Sequence, residues 1–399
     1  MELLSPAGNL EKLKYAYAYG ADAVYIGIKD FSLRVKADNF HTDEAAVISG
    51  LKGDRKLYCA LNIYFHNADL ARLESELDYI ADYPFDAFIV SDVGAVPLLK
   101  RCFPNAKLHL STQANCTNAE AARVYQDMGF SRIVLGREVS IDEIAVIKAK
   151  NPGLELEAFV HGAMCLAYSG RCFLSAWMAG RSGNQGECAH SCRWNYRVLE
   201  ESERPGEYFP IAAGENFTTI LSSRDLCMID HLGELKSAGV DSIKIEGRMK
   251  SLYYTAVVTR AYRKQLDAVC TNSTPCTNDD PAAYRADLFH VSHREYCTGF
   301  YFGKSEVERP TETDYLMGHV FLGIIGRQVS DYLYELDIRN QIATGQTIEY
   351  IGPDLPHIED SNFELIEENG NSVKKADHEH IIRIKPGVPV QPGYIIRRV

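Results

Sequence analysis

The chain has 399 residues, 46% of them apolar and 24% charged, with a net charge of −12 at pH 7. This composition is that of an ordinary globular protein, and the length suits a barrel-sized domain plus a smaller one. The acidic balance argues against a broadly basic nucleic-acid-binding surface, and no run of about 18 apolar residues is present to span a membrane.

The first residues, MELLSPAGNL, lack the basic start and apolar stretch of a secretory signal, so a cytoplasmic protein is expected. Short apolar runs then recur at 2–5, 23–27, 57–64, 86–91, 107–113, 132–136, 155–160 and 241–246. The first seven lie one β/α unit apart, separated by helix-like segments such as 9–20, which Gly20 closes. Eight such units predict a closed, TIM-like (β/α) barrel over residues 1–270. The one long gap, at about 161–240, places an insertion at the C-terminal face of the barrel, where barrel enzymes keep their active sites. Residues 271–315 read as a linker and connecting segment, with a loop at 271–281. From 316 to 399 short alternating runs punctuated by Gly, Pro and Asn predict a small antiparallel β-barrel. From Val373 to Val399 six basic residues (Lys374, Lys375, Arg383, Lys385, Arg397 and Arg398) against Asp377 and Glu379 form a local patch, and its simplest reading is a solvated β surface.

Eleven cysteines are many for a reducing compartment, where clustered thiols point to metal or redox chemistry. Seven are scattered and read as small packed side chains. The other four, Cys165, Cys172, Cys188 and Cys192, fall within 28 residues of the insertion with gaps of six, fifteen and three. Four soft thiolates suit an iron–sulfur cluster or zinc. The first gap is loose for a zinc knuckle, which favours iron and sulfide, although spacing alone does not separate the two. Gly162, Gly170, Gly180, Gly183 and Gly186 free the backbone to turn N–H groups toward sulfur, and Arg171 and Arg193 would offset the thiolate charge. Cys227 is a substitute ligand.

Polar residues share one parity on several barrel strands: His109, Ser111, Gln113 and Asn115 on the fifth, Glu157 and His161 on the seventh, Lys244, Glu246 and Arg248 on the eighth. Asn62 on the third and Arg137 and Glu138 after the sixth extend the set. A polar row does not face an apolar helix layer, so these residues point inward. Mutually satisfied ion pairs inside the barrel would explain any one of them. Together, beside the cysteines, they read as a polar pocket whose cations suit a small anionic molecule, arginine being the natural carboxylate partner. No GxSxG elbow, HExxH helix, P-loop or strand-linked GxGxxG is present, and no nucleophile with an adjacent base stands out.

The segments MELLSPAGNL at 1–10, GADAVYIG at 20–27, FVHGAMC at 159–165, SGRCFLS at 169–175, GECAHSCR at 186–193 and KIEGRMKS at 244–251 resemble the collagenase-like peptidase family U32, over nearly the whole chain. The resemblance implies more than the peptidase name. Related members carry a 4Fe–4S cluster and hydroxylate without molecular oxygen, and act on tRNA, on a ribosomal RNA cytidine or on quinone precursors. The layout is most similar to the branch that forms 5-hydroxyuridine at the tRNA wobble position, with prephenate, a dicarboxylate, as implied hydroxyl donor. The cluster ligands then fall on Cys165, Cys172, Cys188 and Cys192. Lys244, Arg248 and Arg137 would hold the donor, Gln113, Asn115 and Asn62 would line the site, and His161 or Glu246 would move protons. A protein partner or a homo-oligomer is compatible with this reading, and a U32-type peptidase is its alternative.

Overall fold

The computed structural model describes residues 1–28, 31–32, 40, 44–165, 167–194, 212–214, 217–219, 223–271, 281–303 and 315–398. The side chain of Arg193, Cys276 and most of the expected loop at 271–281 lie outside these residues. Eight parallel strands close a barrel: β1 (Glu2–Pro6), β2 (Ala23–Gly27), β3 (Lys56–Leu61), β4 (Ala87–Val90), β5 (Lys107–Leu110), β6 (Arg132–Val134), β7 (Glu155–Ala163) and, after a short hairpin (β8, Ala212–Gly214; β9, Phe217–Thr219) and β10 (Asp225–Cys227), β11 (Ser242–Ile245). Each strand pairs with its predecessor, and β11 pairs with both β7 and β1, completing the ring. This is the TIM-like architecture that the β/α spacing predicts.

The strands are short, largely buried runs, because both faces are covered, one by helices and one by the barrel interior. The helices between them carry local start signals. Asn9 accepts from the Lys12 backbone N–H at 3.0 Å, and Ser140 with Glu143 forms a capping box on the helix Ile141–Lys150. Val24, Ile26 and Leu57 pack against Leu13, Ala16 and Tyr17 of the helix Leu10–Ala18 in one buried cluster.

The barrel floor is an ion-pair network. Glu157, fully buried, accepts from Arg132 Nη1 at 3.1 Å and from Lys244 Nζ at 3.0 Å. Arg132 also donates to Glu2 Oε1 at 2.5 Å and Glu155 Oε2 at 2.8 Å, while Lys56 and Tyr58 donate to Glu2 Oε2 at 3.0 and 2.8 Å. Burial alone would raise the Glu2 carboxyl. The hydrogen bond and charge of Arg132, then those of Lys56, outweigh it and hold the group down at about 2. A carboxyl lowered on folding stabilises above its unfolded value, and loses that stabilisation as pH falls toward the folded one. The wild-type chain should therefore exceed Glu2→Gln by about 3 kcal/mol near pH 6. The gap should close between pH 4.5 and about 2, as read from urea midpoints of the two proteins. A gap that stays constant with pH would remove this role from Glu2.

Two strands join outside the barrel. β10 runs antiparallel to the end of β7, and β12 (Tyr296–Cys297) lies parallel to β10. They are tied by the buried pair Arg294–Asp225, at 2.6 Å. Residues 293–315 thus belong with the barrel, whereas 273–292 group with 316–399.

This second unit is an eight-stranded antiparallel sheet in the order 355–360, 348–352, 395–398, 320–330, 333–338, 382–385, 364–367, 372–373. Among the described residues no pairing joins its two outer strands, and the sheet packs around one apolar cluster (Leu322, Ile348, Tyr350, Leu365, Ile384, Ile396), the small antiparallel domain that the alternating runs predict. Arg397 is buried and bound to Glu349 at 2.5 Å and Asp287 at 2.6 Å, and Lys385 pairs with Glu364 at 2.8 Å. These two cations of the C-terminal basic patch are structural, while Lys374 and Lys375 remain exposed. No helix among the described residues is long and apolar enough to cross a membrane.

Candidate functional site

β7 runs to Ala163, past the last residue of its neighbour β6, and the cysteine insertion starts directly from it at the C-terminal mouth. Gly162 makes this exit possible. Its φ is +105°, and a Cβ there would stand 2.4 Å from the Glu246 carbonyl oxygen. The insertion is then pinned to the mouth at three places. Glu138 accepts from the Ser169 N–H at 2.6 Å and the Ser169 hydroxyl at 2.7 Å, holding the turn between Cys165 and Cys172. Arg171 Nε donates to the Gln113 carbonyl at 2.8 Å, and the Tyr64 hydroxyl donates to the same oxygen at 2.6 Å. The Tyr64 N–H reaches the Asn184 carbonyl at 3.3 Å.

In the chain the four thiols flank the short helix Leu174–Ala179. The Cys172 N–H donates to Asn184 Oδ1 at 3.2 Å, and the His190 N–H points at Cys188 Sγ from 3.4 Å. A Cβ on Gly183 would touch both the Cys188 Cβ, at 3.7 Å, and the Cys172 carbonyl oxygen, at 3.8 Å, so these two ligand turns are neighbours. Cys192 lies in the turn Ser191–Arg193, which packs on the helix Leu174–Ala179. Among the described residues no three cysteine sulfurs lie within 4.8 Å of one another. Cys227 stands elsewhere: it pairs with His161 across β10 and β7, and its sulfur accepts from the Tyr262 hydroxyl at 3.9 Å.

Arg137 links the thiols to the barrel. It is buried, its Nη1 lies 3.8 Å from Cys165 Sγ, and its guanidinium stacks 4.3 Å over Phe159. Among the described residues it makes no ion pair. A buried cation without a counter-charge is costly, and an anionic centre on the thiols would supply one. On that test the donor set fits an iron–sulfur cluster.

The three expected pocket cations come together on two rings. Lys244 stands over Phe159, at 5.5 Å, on the ring that carries Arg137, and over Tyr25, at 4.4 Å, on the ring that carries Arg248 at 5.8 Å. Tyr25, a single aromatic in an apolar strand with nothing in the sequence pattern to mark it, is the hub. Its hydroxyl donates to the Ile245 carbonyl at 3.0 Å and lies 3.3 Å from Glu246 Oε2. Lys244 is matched by Glu157, and burial pulls its ammonium below the usual range against that pairing. Arg248 is buried and reaches Ser32 Oγ at 2.5 Å.

Other residues are placed differently from the inward row. β5 stops at Leu110, and a 3-10 turn, Thr112–Ala114, follows, so strand parity does not extend to Gln113 and Asn115. Gln113 is buried at the Arg171 clamp. Asn115 takes a left-handed backbone (φ 60°), and its buried Oδ1 has no hydrogen-bond partner among the described residues. The Asn62 carbonyl accepts from Ser91 Oγ at 3.0 Å. His109 faces the other end, where a cavity of about 580 Å³ is lined by Lys56, Tyr58, Lys107, His109, Arg132 and Glu155 at the N-terminal ends of the strands. That end of such barrels serves stability rather than chemistry. His161 is enclosed by Tyr254, Tyr262 and Tyr296, with the last two hydroxyls 3.3 and 3.4 Å from its ring nitrogens. Burial pushes it down to about 3, so it is neutral near pH 7.

A closed β/α barrel whose seventh strand runs into a four-thiol insertion beside a cation-lined mouth defines a barrel protein with its reactive end at the C-terminal face. The pattern of peptidase family U32 matches residues 8–311, that of the peptidase family U32 C-terminal domain matches 318–397, and the chain belongs to this family. It is 35% identical to the Bacillus subtilis (strain 168) protein named tRNA hydroxylation protein P1, over 100% of this chain and 94% of that one. It is 36% identical to the Escherichia coli (strain K12) 23S rRNA 5-hydroxycytidine C2501 synthase, over 67% of this chain and 40% of that one. A Porphyromonas gingivalis (strain ATCC BAA-308 / W83) protein named collagenase is 34% identical over 76% of this chain and 74% of its own length.

Proposed function

We propose that this chain is an RNA-modifying enzyme, an oxygen-independent hydroxylase that forms 5-hydroxyuridine at the tRNA wobble position. Prephenate would be its hydroxyl donor, and a 4Fe–4S cluster would be held by Cys165, Cys172, Cys188 and Cys192. The observation that carries this reading is the uncompensated Arg137 at Cys165, which joins the thiol turns to the cation-lined mouth. The choice of tRNA leans on the full-length relative named for tRNA hydroxylation. With one of the four thiolates labile, the cluster would supply a Lewis-acidic iron beside the mouth.

The chain's own residues would do the rest. Arg137, Arg248 and Lys244 would take the carboxylates of a dianionic donor. Glu246 is better placed than His161 to carry protons, because it is half-buried beside the Tyr25 hydroxyl whereas His161 is sealed among tyrosines. Gln113, Asn115 and Asn62 stand at the ends of β5 and β3 where a base would enter, unstacked from its loop. The cytoplasm is where such a substrate is found.

The test is anaerobic purification with iron and sulfide quantification, followed by nucleoside analysis of tRNA from cells with and without the gene. About four irons and four sulfides per chain, and hydroxylated uridine that disappears with the gene, are the expected results. Stoichiometric zinc without sulfide, with unchanged tRNA, would sink the proposal. Peptide cleavage that survives iron removal would then favour the peptidase that the collagenase-named relative suggests.

A further inference from the structure

The cysteine insertion turns an unusual face to solvent. Phe173 is 80% exposed and Trp177 82%, with Tyr168 at 54% and Trp194 at 40%. Rings of this size are rarely left so bare unless they bind something. Phe173 and Trp177 are four residues apart, joined by the Trp177 N–H to Phe173 carbonyl bond at 2.9 Å, so they share one side of the helix Leu174–Ala179. Trp194 is steadied by its indole N–H, which donates to the Ala189 carbonyl at 3.1 Å.

The charge of the segment differs from that of the chain. Residues 167–194 carry Arg171, Arg181 and Arg193 against Glu187 alone, within a protein of net charge −12. Neither Arg171 nor Arg181 makes an ion pair among the described residues. The large apolar groups exposed on this segment are all aromatic; none is aliphatic. Rings and arginines together also mark protein-binding cores; the cationic excess of this segment within an acidic chain is what favours a polyanion, whose unpaired bases would stack on the rings and whose phosphates would meet Arg171 and Arg181.

We infer that this aromatic face is a stacking platform for the single-stranded loop of an RNA, steering one base toward the mouth to which Arg171 pins the insertion. The inference rests on the RNA-hydroxylase reading and supplies the RNA contact that the acidic net charge left unexplained.

The experiment compares the full-length, anaerobically purified protein with its Phe173→Ala/Trp177→Ala variant. The probes are an anticodon stem-loop with uridine at the wobble position and a blunt duplex RNA of equal length. Iron content and circular dichroism serve as fold controls, and a single Trp177→Phe variant, which keeps a ring, is the internal check. The double variant should bind the stem-loop roughly 10–100-fold more weakly, with duplex binding unchanged and the Phe variant close to wild type. Equal stem-loop binding by wild type and double variant overturns the platform, and a wild-type dimer that the variant abolishes would assign the face to a second copy. If the wild type prefers the stem-loop and hydroxylates it while the variant does the same, only this inference fails. If the wild type shows no preference for the loop, the RNA reading falls with it.

Discussion

Glu157→Ala is expected to destabilise the barrel by about 3–5 kcal/mol, because it leaves Lys244 as a buried ammonium with its carboxylate removed. Glu157 is fully buried and holds Arg132 and Lys244 at 3.1 and 3.0 Å. Arg132 keeps Glu2 and Glu155, whereas Lys244 keeps aromatic faces and the more distant charge of Glu246. The double variant Glu157→Leu/Lys244→Met removes both charges together. It should recover most of the loss, since a buried ion pair replaced by apolar groups of similar volume is often neutral. The readout is the shift in urea midpoint of each variant. A single variant within about 1 kcal/mol of wild type would show that water reaches Lys244 and that the pair is not sealed.

The largest functional effect is expected from the thiols. Cys172→Ala and Cys188→Ala should each lose the bound iron and sulfide and bring hydroxyuridine in tRNA down to the level of cells lacking the gene. Circular dichroism should hold, because both residues lie in irregular segments of the insertion, outside the barrel strands. Cys227→Ala is the control. Its sulfur is bonded to Tyr262 on the wall of the barrel, away from the turns that carry the other four, and iron should stay. Iron lost from Cys227→Ala but kept in Cys192→Ala would move the fourth ligand to Cys227.

The barrel was readable because each strand is a short apolar run at β/α spacing, and because the cysteines mark the one gap that breaks it. Strand ends were less readable. The alternation from His109 to Asn115 looks like one strand, yet Ser111 accepts from the Gln113 N–H at 3.3 Å and starts a 3-10 turn, a local side-chain bond that periodicity does not register. Pairing between distant residues was hidden as well. Lys244 and Glu157 are 87 positions apart, and only the β11–β7 register makes them neighbours, so a cation read as a ligand group arrives with its own carboxylate. Tyr25 carried no signal at all, since its neighbours in β2 are uniformly apolar and the ring earns its place through Lys244 and Arg248. The segment 273–292 belongs with the C-terminal sheet through Asp287 and Arg397, 110 residues apart.

The ring of strands is closed by its last member, β11, which slots between β7 and β1 and brings Ser242 and Lys244 to Glu2 and Glu157. On a ribosome this order has a consequence in time. All four insertion thiols leave the exit tunnel before the closing strand does. The stretch of chain from Cys192 to Ile245 takes on the order of 3–10 s to synthesise. For that interval the first seven strands lack the neighbour that closes the ring, and the thiol segments lack the finished mouth. A cluster of the proposed kind would be easier to deliver then than to the completed barrel, where Glu138 and Arg171 already pin the insertion.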